Sequence, residues 1–336
     1  MKKTLKFILG ALFAATLFIS CGKAPVDEYG CFQQMEPALK NAQKKNQDVL
    51  VMITMNGDDD YSAKFINDVV AKDDFKKEIL ANYSTVLMDF SQTTYQKTVA
   101  AEDAKDKEKK AAEELATIIQ NNSKLVSLLN VQTPPAFFIF TKDQYYITEI
   151  VYSDDIADVA AFKALIDEKA SIINDAHTMV EATKKGTDVE KAKAIDELFE
   201  ATNPSYRNFL SDLIEKVVEL DKNNETGLLS KYILAGADSK AQNAFMTGDT
   251  EGALQVYIDI CSKEELTPEH KQQAYYMAAY ILAMSGSTEY QKIVDTLQLA
   301  VEADPENESV ASIKQIIESL SQTLEAGAEE DTAGAQ

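Results

Sequence analysis

Residues 48–70 read DVLVMITMNGDDDYSAKFINDVV, and the reading of this stretch decides the fold. Val49 to Ile53 is a short apolar run rich in β-branched residues, which marks a buried strand rather than a helix. Gly57 breaks the run, and Asp58-Asp59-Asp60 supply carboxylates that cap a helix and suit its positive end. The stretch therefore predicts a strand, a tight turn and a helix, an arrangement in which many folds place their chemistry. This turn holds no Cys, His or Lys and no glycine-rich phosphate cradle. A hard cation needs oxygens converging from spaced positions, whereas consecutive carboxylates at a helix start diverge. Capping is the expected role of the three aspartates, and no metal is expected.

On the N-terminal side, Phe32, Met35, Leu39 and Ala42 recur at helical spacing, which predicts an amphipathic helix from Phe32 to Lys45. On the C-terminal side, a short helix is expected over Asp73–Leu80 and a second apolar strand over Thr85–Phe90. Gln92 to Gln120 is rich in Ala, Lys and Glu and predicts a solvated helical excursion, after which Ser123 caps a brief helix to Leu129. In VQTPPAFFIF (131–140) the two prolines cannot donate ladder hydrogen bonds, so they precede the paired part of the next strand. Lys142-Asp143-Gln144 forms a turn, and Tyr145–Tyr152 returns as its partner strand.

In this order the pieces resemble the thioredoxin fold, and the periplasmic thioredoxin-like domains in particular. ALKNAQKKNQDVLVMI looks like that family's leading helix and central strand, and FINDVVAKDDFKKEILANYSTVLMDF like its second helix, short helix and next strand. VQTPPAFFIF is similar to the loop bearing the family's cis-proline, and TKDQYYITEI to its closing hairpin. The resemblance implies an α/β domain over residues 32–175, interrupted by a helical insertion at about 92–121, with Pro135 as the cis-proline. It also places the family's Cys-x-x-Cys on Asp59-Asp60-Tyr61-Ser62. A reactive thiol works through a depressed pKa and a resolving partner, and Asp59 and Ser62 supply neither. Cys31 precedes the leading helix and cannot stand in. Dithiol chemistry is therefore expected to be absent, with no catalytic residue and no cofactor.

Residues 176–324 read as all-α. Ala157–Lys184 is one long helix or two joined near His177; Gly186-Thr187-Asp188 starts a helix to Ala201, and Asn203-Pro204 another to Leu220. Further on, Ala241, Ala244, Gly248, Ala253, Tyr257 and Ile260 recur as Ala279, Leu282, Gly286, Ile293, Leu297 and Ala300. This helix, glycine turn and helix resembles degenerate tetratricopeptide repeats, with a plain Ala-rich helical bundle as the alternative. Glu308–Leu324 would be the closing helix and 325–336 a disordered acidic tail. Tyr275, Tyr276 and Tyr280 are the candidate binding surface, with core or groove-wall packing as the plainer role. His177 reads as a helix-face residue, and His270 flanks the helix start after Pro268. Neither has a second ligand at zinc spacing.

Residues 1–20 begin with lysines and continue as an apolar run too short to span a membrane, as in a signal peptide. The ending Phe18-Ile19-Ser20-Cys21 resembles the lipobox of bacterial lipoproteins, which implies acylation at Cys21, a tether over 21–31 and a place on an envelope membrane. The alternative is an ordinary secretion signal that happens to contain a cysteine. Removing residues 1–20 takes Lys2, Lys3 and Lys6 and no acid, so the net charge falls from −22 to −25. Such a chain is repelled by nucleic-acid phosphates, and nucleic acid is excluded as a partner. Cys31 and Cys261 then remain, either as isolated buried thiols or as a disulfide that an envelope compartment permits. The functional expectation is a non-catalytic envelope protein that binds a protein or peptide. The alternatives are an oxidoreductase accessory using Cys31 or Cys261, and a structural spacer.

Overall fold

A computed structural model describes residues 26–286 and 289–333, with the side chains of the last helix described through Thr323. The signal peptide read at 1–20 and Cys21 lie outside the described residues. The order opens with α1 (Met35–Lys45), β1 (Asp48–Thr54) and α2 (Asp60–Phe65), which runs on as a π-helical turn over Ile66–Val70. Next come α3 (Asp73–Glu78), β2 (Tyr83–Asp89), α4 (Gln92–Gln96), α5 (Asp106–Leu128), β3 (Ala136–Phe140) and β4 (Tyr146–Ile150). The strands form one sheet in the order β2-β1-β3-β4, with β1 and β2 parallel and the other two pairs antiparallel.

Both faces of this sheet are covered, which is why β1 is apolar without alternation. Leu50, Met52, Leu87, Phe137 and Ile139 pack under Phe65, Val69, Phe75 and Phe162. Val49, Val51, Ile53, Val86, Phe138 and Phe140 pack under Ala38, Ala42 and Leu125 on the opposite face. The leading helix begins at Met35 rather than at Phe32, because Phe32 joins the outer edge of β2. Its N–H donates to Thr85 O at 2.9 Å, and its carbonyl accepts from Leu87 N at 2.9 Å. That single bridge covers part of an otherwise open strand edge.

The insertion also differs from expectation. Ser123 caps nothing: it lies inside α5, with its hydroxyl donating to Ile119 O at 2.8 Å. A single helix therefore runs from the solvated stretch into the core, where Leu125 covers the sheet.

After β4 come α6 (Val159–Asp167), α7 (Ala170–Ala182), α8 (Asp188–Ala201), a 3-10 helix over Pro204–Leu210, and α9 (Ser211–Leu220). The break falls between α6 and α7, not near His177. The expected boundary at residue 175 lies inside α7, whose Ile173 and Ala176 pack on the sheet's core while Val180 joins the helical core. The halves interlock at two further places. Tyr145 is buried among Ile195, Leu198 and Leu213, and its hydroxyl donates to Asp212 at 2.7 Å. In return, Tyr206 stacks on Tyr146 at 4.0 Å between ring centroids, and Phe209 meets Phe140 edge-on at 5.1 Å. Each such aromatic pair adds roughly 0.5–1.5 kcal/mol beyond area burial.

The chain closes with α10 (Leu229–Met246), α11 (Thr250–Cys261), α12 (Pro268–Met284), α13 (Tyr290–Ala303) and α14 (Val310–Ala333). Neighbours in sequence pack together, and the turns after α10 and α12 use Gly248 at φ +81° and Gly286 at φ +70°. A side chain is strained at such φ values, so glycine is the residue that ends these helices. Ala241, Ala253, Tyr257, Ala279, Ile293, Leu297 and Ala300 are buried where the helices cross. Because α14 is helical through Ala333, residues 325–333 are not the structureless tail expected from their composition, and the rest of that tail lies outside the described residues.

Candidate functional site

The turn after β1 spends most of its polar atoms on its own fold, with Asp59 Oδ2 left buried and without a hydrogen-bond partner. Asp59 is the N-cap of α2 and accepts from Ser62 N at 2.7 Å. Ser62, at the second redox position of the resembled family, is fully buried, and its hydroxyl accepts from Met55 N at 3.0 Å. Asp58 accepts from Gln92 N, tying the turn to α4, and Asp89 accepts from Asn56 N at 2.9 Å. The carboxylates thus diverge toward separate backbone donors. Among the described residues no three His, Cys, Asp or Glu side chains converge on a possible metal position. Asp60 is exposed, and Tyr61, also exposed, sits edge-on to Tyr152 at 5.5 Å. The Pro134–Pro135 peptide bond is cis. Ile53 pairs with Ala136, so Pro135 stands beside the end of β1 and next to this turn.

Cys31 and Cys261 are both free and buried, in separate cores. Burial pushes the Cys31 thiol far above its ordinary range and the Cys261 thiol up to about 11. Cys261 Sγ lies 3.9 Å from Lys271 O. Neither thiol has the exposed, electropositive surroundings that produce a reactive thiolate.

His177 has a partner that its helix position did not reveal: its Nε2 lies 2.9 Å from Asp48 Oδ2 at the start of β1. Burial pushes the Asp48 carboxyl above the usual carboxylate range. The contact joins α7 to the sheet and is structural. Thr267 caps α12 by accepting from His270 N, and His270 Nδ1 lies 2.7 Å from Ser230 Oγ. Burial lowers the His270 pKa from its ordinary value. This histidine ties α12 to α10.

The three candidate tyrosines separate. Tyr275 is half-buried, packs against the core beside Cys261 and leaves the surface set. Tyr276 and Tyr280 stay outside at 36% and 50% exposure, on one face of α12 with Gln273 and with Met284 at 57%. Residues 273, 276, 280 and 284 share a helix face at three- to four-residue spacing. Between α12 and α14 lies a cavity of about 310 Å³, walled by Glu269, Gln273, Tyr276, Ser312, Ile313 and Ile316. Its base is pinned by Gln272, which donates to Asp304 O at 2.8 Å and accepts from Ser309 Oγ at 2.7 Å. The sequence reading missed Met284, Gln273 and Ile316. The first two were legible from their spacing with the tyrosines, while Ile316 depends on where α14 docks.

Comparisons with known proteins add the following. A family model described as "Uncharacterised protein C-terminal domain" matches residues 228–326, the stretch that contains α10 to α13 and most of α14. An uncharacterized protein of Treponema pallidum (strain Nichols) is 30% identical over 131 residues, which is 39% of this chain and 44% of that protein. The chain therefore spans less than half the length of that curated relative. Among solved structures, one titled "DsbH Oxidoreductase" is similar at 11% identity and a TM-score of 0.29, covering 44% of this chain and 90% of that one. A likeness of that quality carries no argument about fold or activity.

Proposed function

We propose that this chain is a non-catalytic, partner-binding protein of a bacterial envelope, held on the membrane by acylation at Cys21. In this reading the N-terminal half is a thioredoxin-like domain without its dithiol, and α10 to α14 are tetratricopeptide-like hairpins with a closing helix. The capping role of Asp59 Oδ1, the Ser62 hydroxyl held by Met55 N and the two buried thiols support the absence of redox chemistry. They also weigh against an oxidoreductase accessory that uses Cys31 or Cys261.

The observation that carries the binding assignment is the uncovered stripe Tyr276, Tyr280 and Met284 beside the 310 Å³ cavity. Aromatic and Met side chains on a rigid helix give contact area at low entropic cost, and helical-repeat surfaces receive peptides in this way. The partner is a protein segment presenting apolar side chains to α12 and α14. A photoreactive phenylalanine analogue at position 280, introduced in cells, is expected to give a discrete crosslinked species, absent when the analogue replaces exposed Lys44 on α1. Smears or no product at 280 would remove the assignment and favour a structural spacer.

A further inference from the structure

A cavity of about 420 Å³ lies away from the α12 face and is lined in part by Asn56 and Gly57 of the turn after β1, with none of residues 59–62 among its lining. It opens where the parallel strands β1 and β2 end, between the segment at residues 27–29 and the insertion helices α4 and α5. In open sheets, the carboxyl ends of parallel strands are where ligands gather. Here the inserted helices supply a wall that converts a strand end into an enclosure.

The chemistry of the walls is one-sided. Asp89 Oδ1 accepts from Asn56 N at 2.9 Å and Ser91 N at 3.2 Å, while its Oδ2 accepts the hydroxyls of Ser91 at 2.7 Å and Thr94 at 2.6 Å. With those protons committed to Asp89, Thr94 offers its lone pairs to the cavity, and Ser91 Oγ, which also accepts from Thr94 N at 3.2 Å, keeps one. Asp27 Oδ1 accepts from Tyr29 N and Cys31 N at 2.9 and 2.8 Å, and Glu28 lies beside it. Lys97 is the single cation among the lining residues, against the carboxylates of Asp27, Glu28 and Asp89. Thr54 is fully buried, lines the same cavity, and has a hydroxyl with no hydrogen-bond partner. A buried polar atom left unsatisfied costs about 1–3 kcal/mol and calls for an explanation. Across from these groups, Leu115 and Ile118 of α5 make an apolar side.

From this arrangement we propose that the cavity is a binding site for a small organic cation, an ammonium group on an apolar body. The ammonium donates to the carboxylates of Asp27 and Glu28 and to the lone pairs of Ser91 and Thr94. The apolar body lies against Leu115 and Ile118, and Thr54 serves a polar atom at the buried end. An anion meets three carboxylates and oriented lone pairs and is rejected.

The test is calorimetric titration of the full chain in detergent micelles with 2-phenylethylammonium, against neutral 2-phenylethanol and anionic phenylacetate. The cation is expected to bind saturably, roughly tenfold tighter than the neutral probe, with no binding of the anion. Glu28→Gln, an exposed position, is expected to weaken the cation roughly tenfold and leave the neutral probe unchanged. Ile118→Trp, at a half-buried position of α5, fills the space and removes binding of both probes while the unfolding transition stays in place. Equal binding of cation and anion, cation binding that survives Ile118→Trp, or no heat from any probe overturns the proposal.

Discussion

The turn at residues 55–62 and the outer face of α12 make an instructive pair. Both lie next to a cavity and both carry side chains that a functional reading would select. In the turn, three polar side chains are tied to backbone N–H groups of the fold: Asp59 Oδ1 caps, Ser62 holds Met55 N, and Asp58 holds Gln92 N, while Asp59 Oδ2 is buried without a partner and Asp60 is exposed. On α12 the apolar groups Tyr276, Tyr280 and Met284 stay in solvent, which costs free energy that burial elsewhere would recover. A polar group satisfied internally argues for structure, and a large apolar group left outside argues for a partner.

The sharpest way to break this contrast is to disturb the packing beneath the turn. Phe65 is fully buried and meets Phe137 at 4.6 Å and Phe162 at 5.1 Å. Phe65→Ala is expected to lower the unfolding free energy by about 3–5 kcal/mol in denaturant titration. A loss below about 1 kcal/mol would mean that the turn is not built on this core.

The next effect concerns Cys261. A thiol held near 11 is about 99% or more protonated at pH 8, so native-state alkylation should run roughly a hundredfold slower than in the unfolded chain. Because the folded pKa is raised, the neutral thiol favours folding below the ordinary thiol pKa, and that contribution is lost as pH rises toward about 11. Cys261→Ala should flatten that part of the stability curve. Rapid alkylation of native protein would instead mark a reactive thiol and revive the redox alternative.

Ser62→Ala removes the partner of the half-buried Met55 N–H and is expected to cost about 1–3 kcal/mol. Asp59→Ala removes the cap of α2 and should cost about 0.5–2 kcal/mol. Both are read by equilibrium unfolding, and neither should change crosslinking through position 280. The smallest stability effect is expected at the other pole. Tyr280→Ala should stay within about 0.5 kcal/mol of the parent while abolishing partner capture in a pull-down with the intact chain. A large stability loss there would make the α12 face structural.

Much of the architecture was legible where its signals are local. The apolar runs at 49–53 and 136–140, the Asp59 cap and the Gly248 and Gly286 turns follow from short-range sterics and hydrogen bonding. The partition into halves was not legible. Tyr145 and Tyr206 cross between cores that are far apart in sequence, and nothing in either neighbourhood announces it. The candidate site was half legible: Tyr276 and Tyr280 remain at the surface, whereas Tyr275, one residue away, is half-buried against the core.

By itself, the sequence determined which apolar runs become strands, where Gly248 and Gly286 end helices, and that the turn after β1 holds Asp59 and Ser62 and no cysteine. Those features depend on backbone preferences and residue identity, which act within a few positions. Only the tertiary structure decided that α5 continues into the sheet's core, that His177 meets Asp48, and that strand ends and inserted helices enclose a cavity around Thr54. These depend on which surfaces dock, and docking sums many weak contacts between residues distant in the chain.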